Sequence, residues 1–526
     1  ALDNHSNITV SNGGLYTSIS SGFKLQRATY YLTSGKWYWE VICDDTGNGF
    51  VGVTDSTDSV DSQGAASASS CMIRTTNGDK RIGGSESSYG SGVSDGDVMM
   101  FAVDMDNGKF WAGKNNSWFN SGDPAAGSNA ASSAITNPVT PTLGMYDSEN
   151  YTGNFGQRAF SYTPPTGFKK LNSANLPDPS IKLPDKHFDT LLWAGNSATS
   201  NRSITGLNFQ PDLVWTKTRN YAYHHVLMDS VRGASNRLNA DQNFVENHTN
   251  GGYLASFDSD GFTWQYGGGS NNEWWNQSYN YLAWNWNAGG STATNNDGAS
   301  TSQVRANTTA GFSIVTYTGT GSTTTFGHGL GVAPKVVITK SRSATGSWAV
   351  LHTVGNPTAE NRLLLNDNGG HSSYQGYKLW NDTVPTSSVF TVREDDATNA
   401  SSVTYVAYCF SEVASFSKFG SFVGNGSSDG TFVYTGFRPA YVMIKCVSTS
   451  DHWNISDAKR GNFNEIDEAL YANNTEVEGW NGSLDKIDYL SNGFKPRANN
   501  SQTNASGATY IYLAFAEAPF KYSRAR

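Results

Sequence analysis

Apolar and polar positions alternate with a period of two along most of this chain. Lys36 to Cys43 (KWYWEVIC), Phe50 to Val53, Val98 to Asp104, Lys109 to Gly113 and Pro141 to Met145 are short runs of aromatic and β-branched residues. Such runs predict strands with one face on a core. Asn107-Gly108, between Val103 and Phe110, predicts a type I′ hairpin, because both residues tolerate a positive φ. From Asn172 to Lys186 the alternation stops. Pro177, Pro179 and Pro184 block sheet hydrogen bonding there, so residues 173–185 read as a linker that ends a first domain at residue 172.

Beyond the linker the pattern repeats. An aromatic residue stands two before a glycine at Trp193/Gly195, Tyr317/Gly319 and Phe422/Gly424, with the glycines 124 and 105 residues apart. A Pro-led strand then ends in lysine: Pro211 to Lys217, Pro334 to Lys340 and Pro439 to Lys445. Each unit closes on an aromatic strand, Tyr281 to Trp286, Tyr405 to Phe410 and Tyr510 to Phe515. Independent landmarks that keep one spacing indicate homologous units. Three modules follow, at residues 186–288, 311–414 and 415–526, with a polar linker at 289–310. The expected fold class is all-β: one β-sandwich followed by three repeated β-sandwich modules.

Composition supports that reading. The chain has 526 residues, too many for one core, and 55 of them are glycine. Only 15% of residues are charged and the net charge is −9, with no run of Lys or Arg to neutralise a row of phosphates. No nucleic acid and no anionic membrane surface is expected as a partner, and the apolar runs are too short for a membrane helix. Cys43, Cys71, Cys409 and Cys446 lack disulfide-framework or zinc spacing and read as buried thiols.

Several segments carry a resemblance. GKWYWEV (Gly35 to Val41), VGVTD (Val51 to Asp55), GDVMMFAVDMDNGKFWAGKNNSWF (Gly96 to Phe119) and NFGQRAFSYTPPTGF (Asn154 to Phe168) resemble the SPRY domain. The resemblance covers residues 1–172 and implies a concanavalin-like sandwich that recognises protein through its loops. The triplicated unit, with its PDLVWTK strand, DSVRG turn and SFDSDGF hairpin, resembles a module of unassigned function in structural proteins of tailed bacteriophages from aquatic habitats. That resemblance implies a virion-surface part, a fibre, spike or capsid decoration. Its partners would be other virion proteins and a host surface glycan or protein, and a homo-oligomer is expected.

Candidate chemistry is sparse. Asp258-Ser-Asp-Gly261 and Asp104-Met-Asp-Asn-Gly108 space carboxylates as a calcium loop does, but neither continues to a distal glutamate, and a turn explains both. Asp229-Ser-Val-Arg-Gly233 recurs as Asp457-Ala-Lys-Arg-Gly461. The middle copy has His352-Thr-Val-Gly355, so the pair reads as a turn-stabilising one rather than catalytic. Tyr221, Tyr223, His224 and His225 form a polar aromatic stretch that could meet a ligand or be a plain turn, with no acidic partner at metal-ligand spacing nearby. Trp274 and Trp275 lie among Asn, Gln and Glu273, a composition suited to stacking on a pyranose or to packing as a loop. Trp284 and Trp286 read as core, because the matching strands carry aromatic or aliphatic residues there too. Glu394, Asp395 and Asp396 are adjacent and alternate faces, unlike a facing acid and base. No GxSxG, HExxH, Walker or dinucleotide motif occurs. The expectation is a binding and structural protein, not an enzyme, with no cofactor and no metal. The rivals are a polysaccharide-degrading spike and an architectural cement.

Overall fold

The computed structural model describes residues 3–4, 7–55, 58, 63–247, 253–266, 277–371, 379–461, 463–480 and 485–523. They are almost entirely strands and turns, and the chain forms two compact units, Ala1–Asp178 and Pro179–Arg526.

The first unit has two sheets, antiparallel except that Lys169–Lys170 pairs parallel with Lys36–Asp45 in the second. One runs, in spatial order, Asp3–Asn4, Phe23–Arg27, Val139–Tyr146, Phe50–Asp55, Cys71–Arg74, Lys80–Ile82 and Ser85–Ser87. The other runs Ser117–Trp118, Lys109–Lys114, Val98–Asp104, Lys36–Asp45, Asn150–Asn154, Tyr16–Ile19 and Ile8–Ser11. Lys36–Asp45 is buried on both faces. Trp39 stacks on Phe101 on one side, while Tyr38 and Glu40 point to the other. The Glu40 carboxylate accepts the Tyr38 hydroxyl at 2.9 Å and the backbone N–H groups of Ser161 and Tyr162 at 2.8 and 2.9 Å. A buried carboxylate satisfied by backbone donors pins the returning segment over that face.

The turn at Asn107 differs from expectation. Asp104 pairs with Lys109, so the loop has four residues, Met105 to Gly108, and of these only Gly108 has a positive φ, +65°. The Asp104 carboxylate accepts the Asn107 backbone and side-chain N–H groups at 3.1 and 2.8 Å, which holds Asn107 at negative φ and favours the wider turn.

The second unit repeats one topology three times. In the first repeat a sheet runs Phe188–Ala194, Asn280–Trp286, Leu213–Thr218, Val226–Asp229 and Arg237–Leu238. In the third it runs Ser417–Val423, Thr509–Pro519, Phe437–Cys446, Asn454–Asp457 and Leu470–Tyr471. The second has Phe312–Thr318, Thr404–Phe410, Val336–Ser341 and Ala349–His352 in the same order. A small second sheet accompanies each, such as Arg202–Thr205, Gly261–Gln265 and Tyr253–Asp258 in the first repeat.

Residues 289–310 are not a linker. Ala293–Asn295 and Ser302–Asn307 form a hairpin that extends the second repeat's sheet at its outer edge. Its side chains are mostly exposed, with Val304 the buried aliphatic, which explains why the stretch reads as polar.

Nor do the three repeats stand apart, although the first and second each keep an apolar cluster of their own between their two sheets. One apolar cluster runs from Ile181 to Ala516 through all of them. At its centre Trp286, Phe410 and Phe515, the last aromatics of equivalent strands, meet pairwise at centroid distances of 6.4, 5.7 and 5.8 Å. Three equivalent residues in mutual contact surround a common axis, so this unit is a pseudo-trimer made from one chain. Other equivalent bonds close the same ring. The backbone N–H groups of Glu246, His371 and Glu478 donate to the carbonyls of Arg342, Val447 and Arg219 in the next repeat at 2.9, 2.9 and 2.7 Å. The Trp348 indole donates to the Asn239 carbonyl at 2.7 Å and the Trp453 indole to the Leu364 carbonyl at 2.8 Å.

The repeated lysines serve these interfaces. Lys217 Nζ donates to the Thr475 carbonyl at 3.2 Å, Lys340 Nζ to Asn243 at 3.5 Å and Lys445 Nζ to Asn368 at 2.7 Å, each on a neighbouring repeat. Burial lowers their pKa to about 7, 7 and 8.

Candidate functional site

The buried lysine of the first repeat also shapes a surface loop. Beyond Thr218 the chain turns, and Lys217 Nζ donates to the carbonyls of Thr218 and Tyr221 at 2.9 and 3.4 Å. Asn220 Oδ1 accepts the Asn280 N–H at 2.8 Å, which ties the loop to the start of the aromatic strand. Tyr221, Tyr223 and Tyr279 are thereby gathered. Tyr221 stacks on Tyr279 at 4.5 Å and 23°, and lies 4.7 Å from Tyr223, with Tyr223 and Tyr279 at 5.9 Å. Tyr221 is 45% exposed, a large aromatic surface facing water.

Next to this cluster the fold supplies an acid that is distant in sequence. His224 Nδ1 bonds Asp241, whose other oxygen accepts the His225 backbone N–H at 3.0 Å. Burial opposes ionisation of Asp241, yet the His224 hydrogen bond and the two imidazoles outweigh it and hold its pKa below the usual carboxylate range. His224 is half-exposed and directly follows Tyr223 in the chain.

His225 does not join them. Its side chain is fully buried, accepts the Trp215 indole N–H at 3.0 Å and occupies the position of Trp348 and Trp453 in the other repeats. Burial, helped by Lys217, lowers its pKa to about 3, so it is a neutral packing group rather than a ligand contact. Trp274 and Trp275 lie outside the described residues. Tyr279, which sequence reasoning missed, is two residues before the Tyr281 anchor. Comparison of the repeats at that spacing is the signal that finds it.

The other candidates are absorbed by structure. Trp284 and Trp286 are buried on the pseudo-threefold face. Asp229 and Arg232, like Asp457 and Arg460, are buried ion pairs at 2.5 and 2.6 Å whose carboxylates also accept turn N–H groups. Asp258 accepts the Ser256 and Thr263 hydroxyls at 2.6 and 2.7 Å beside a two-residue hairpin loop. All four cysteines are buried and free, and among the described residues no three His, Cys, Asp or Glu converge as metal ligands do. The void on the pseudo-threefold axis holds about 20 Å³ and is lined by apolar groups such as Trp215, Ile338 and Met443, so it suits no polar ligand. An open groove of about 240 Å³ is lined by Thr301, Gln303, Thr316, Thr318, Arg342 and Thr404, and its one charged group, Arg342, is taken by Glu246.

Fold and surface together define an all-β protein whose larger unit is a single-chain pseudo-trimer with an aromatic surface on one repeat. Residues 183–519 match the family described as "Domain of unknown function (DUF7483)", and the chain belongs to that family. No curated protein matches it. Among solved structures, the chain is similar to the SPRY domain of human HERC1 at 19% identity, over 30% of this chain and 100% of that one, with a TM-score of 0.26. It is also similar to a human SPRY domain (16%, over 29% and 98%, TM-score 0.24) and to the PSpry domain of TRIM65 (13%, over 29% and 90%, TM-score 0.24).

Proposed function

We propose that this chain is a structural and adhesive protein of a bacteriophage virion surface, and that the Tyr221, Tyr223 and Tyr279 cluster contacts a host surface molecule. One observation carries the binding role. The three repeats place equivalent loops at equivalent positions, and only the first bears the tyrosines. Ala344, Gly346 and Val403 stand there in the second repeat, and Thr449, Asp451 and Ala508 in the third. Positions that the fold requires stay aromatic or aliphatic in all three copies, as at Trp286, Phe410 and Phe515. A partly exposed aromatic cluster that two copies fold without is an addition to the fold. Amphipathic tyrosines beside a half-exposed imidazole suit a ligand with both apolar and hydroxyl faces. The virion setting, and virion proteins as further partners, follow from the resemblance of the repeats to phage structural modules.

The test is saturable binding of the full chain to host cells and to their extracted surface glycans, compared with Tyr221→Ala/Tyr279→Ala. Tyr221 is exposed and Tyr279 half-buried, and the other two repeats fold with small residues at both positions, so the melting temperature should change little while binding falls at least tenfold. Undiminished binding by the double variant would place adhesion elsewhere, and absence of binding by the parent chain, with capture by virion proteins, would favour the cement role.

A further inference from the structure

Lys217 joins two repeats at the tyrosine site. Its Nζ donates to the carbonyl of Tyr221 on the first repeat and of Thr475 on the third, at 3.4 and 3.2 Å, so the tyrosine loop and residues 475–478 lie side by side along one seam. The Glu478 N–H and carboxylate, bonded to the Arg219 carbonyl and guanidinium, fasten the same seam two residues before Tyr221.

The third repeat brings aromatic groups of its own to this seam. Trp480, two residues beyond Glu478, is 50% exposed. Its ring packs edge-on against Tyr471 at 6.1 Å, and Tyr471 packs against His452 at 5.4 Å. Tyr471 is buried and its hydroxyl donates to Asp485, which makes it a fixed seat for a half-exposed indole. Asn474, Thr475 and Glu476, all partly exposed, supply amide, hydroxyl and carboxylate groups on the stretch between Tyr471 and Trp480.

The other two seams of the pseudo-trimer carry neither set. On the loop side, Ala344, Gly346 and Val403 stand at the seam between the first and second repeats, and Thr449, Asp451 and Ala508 at that between the second and third. On the opposite side, Asn239 and Leu364 occupy the Tyr471 position, since their carbonyls meet the Trp348 and Trp453 indoles as the Tyr471 backbone meets the His225 ring. All three seams close with equivalent backbone bonds, so closure needs neither set of aromatics. Two segments far apart in the chain thus place aromatic residues on both sides of the same seam, one out of three.

We propose that this seam is one extended ligand site and that its occupant is a glycan chain of several sugar units, seated on Tyr221 and Tyr279 at one end and on the Trp480 indole at the other. The proposal rests on the adhesive reading of the tyrosine cluster and extends it onto the third repeat. Aromatic faces stack on the apolar faces of sugar rings, and amide, hydroxyl and carboxylate groups bond the sugar hydroxyls. Two aromatic seats on different repeats set a length requirement that a single sugar does not meet.

Titration calorimetry of the full chain with size-fractionated fragments of the extracted host surface glycan tests it. Affinity should rise about tenfold from the shortest fragments to those long enough to reach both seats. Trp480→Ala should remove that gain and leave the shortest fragments within about twofold of the parent, because they need only the tyrosines. Trp480→Phe, which keeps an aromatic face, should retain most of the gain, and Tyr221→Ala/Tyr279→Ala should weaken every fragment. Affinity independent of fragment length, or long fragments bound equally by Trp480→Ala and the parent, would overturn the proposal and leave the tyrosine site standing. A parent chain that binds host cells but no glycan fragment would overturn it in favour of a protein ligand, and one that binds neither would overturn the adhesive reading with it.

Discussion

Two of the three interfaces in the pseudo-trimer are ionic and the third is not. Between the first and second repeats, Asp229 pairs with Arg232, Arg232 with Glu246 at 2.8 Å, and Glu246 with Arg342 at 2.9 Å, while the Tyr408 hydroxyl donates to Asp229 at 2.8 Å. Between the third and first, Asp457, Arg460 and Glu478 recur, with Arg219 bidentate on Glu478 at 2.6 and 2.8 Å and the Trp284 indole donating to Asp457 at 3.0 Å. Between the second and third, the same five positions hold His352, Gly355, His371, Val447 and Leu513. The His352 Nε2–H donates to the Tyr512 carbonyl at 3.1 Å and its Nδ1 accepts the Gly355 N–H at 3.3 Å. Groups on both sides of one interface differ together. A buried arginine without its acids, or the acids without it, would cost more than the full set or none. The lesson is that an interface network is kept or replaced whole.

That contrast can be broken from either side. Arg232→Met leaves Asp229 buried without its cation, while Glu246 keeps only Arg342, and should destabilise the unit by about 3–5 kcal/mol in urea or thermal unfolding, the largest effect expected.

Acid should act on the histidine interface. Burial lowers the His352 pKa to about 4, and the neighbouring His371 and Lys335 act in the same direction while the Tyr512 carbonyl opposes. His371, also lowered to about 4, faces Lys445, near which Asp451 and Asp367 lie. The folded state holds these imidazoles neutral while the unfolded chain protonates them near 6.5. Their contribution is therefore complete above pH 6.5 and is lost as pH falls toward 4. Each such group steepens the decline by up to about 1.4 kcal/mol per pH unit. Buried His225 adds to the same slope, so His352→Gln, compared with the parent in urea titrations at several pH values, isolates one proton's share. An unchanged slope would mean that His352 is already protonated in the folded state.

Gly355→Ala is a smaller lesion. Its Cβ would come within 2.3 Å of Ile511 Cγ2, an overpacking that should cost about 1–3 kcal/mol and be relieved by Ile511→Val. Tyr408→Phe removes one neutral donor from Asp229 and should cost about 0.5–1.5 kcal/mol, whereas the equivalent Leu513 makes no such bond to lose.

Much of this was legible beforehand. The Pro-led strand, the terminal lysine and the closing aromatic strand follow period-two patterning, and they occupy equivalent strands in all three sheets. Residues 289–310 misled, because a hairpin solvated on most of its side chains has little apolar alternation to show. His225 misled for the opposite reason, since an imidazole in a polar stretch looks exposed until the repeat register aligns it with Trp348 and Trp453. At the tyrosine site, Tyr221 and Tyr223 stood out, but Tyr279 and Asp241 come from distant segments.

What the sequence determined by itself was local: which residues form strands, where the units repeat, and which faces are apolar. Backbone propensity and side-chain alternation act over a few residues, so they are written along the chain. Only the tertiary structure decided that the repeats close around one axis and that the lysines and ion pairs serve the neighbouring repeat. Those outcomes depend on contacts between residues a hundred or more positions apart, where burial makes an unpaired charge or donor costly and so couples groups that no local pattern connects.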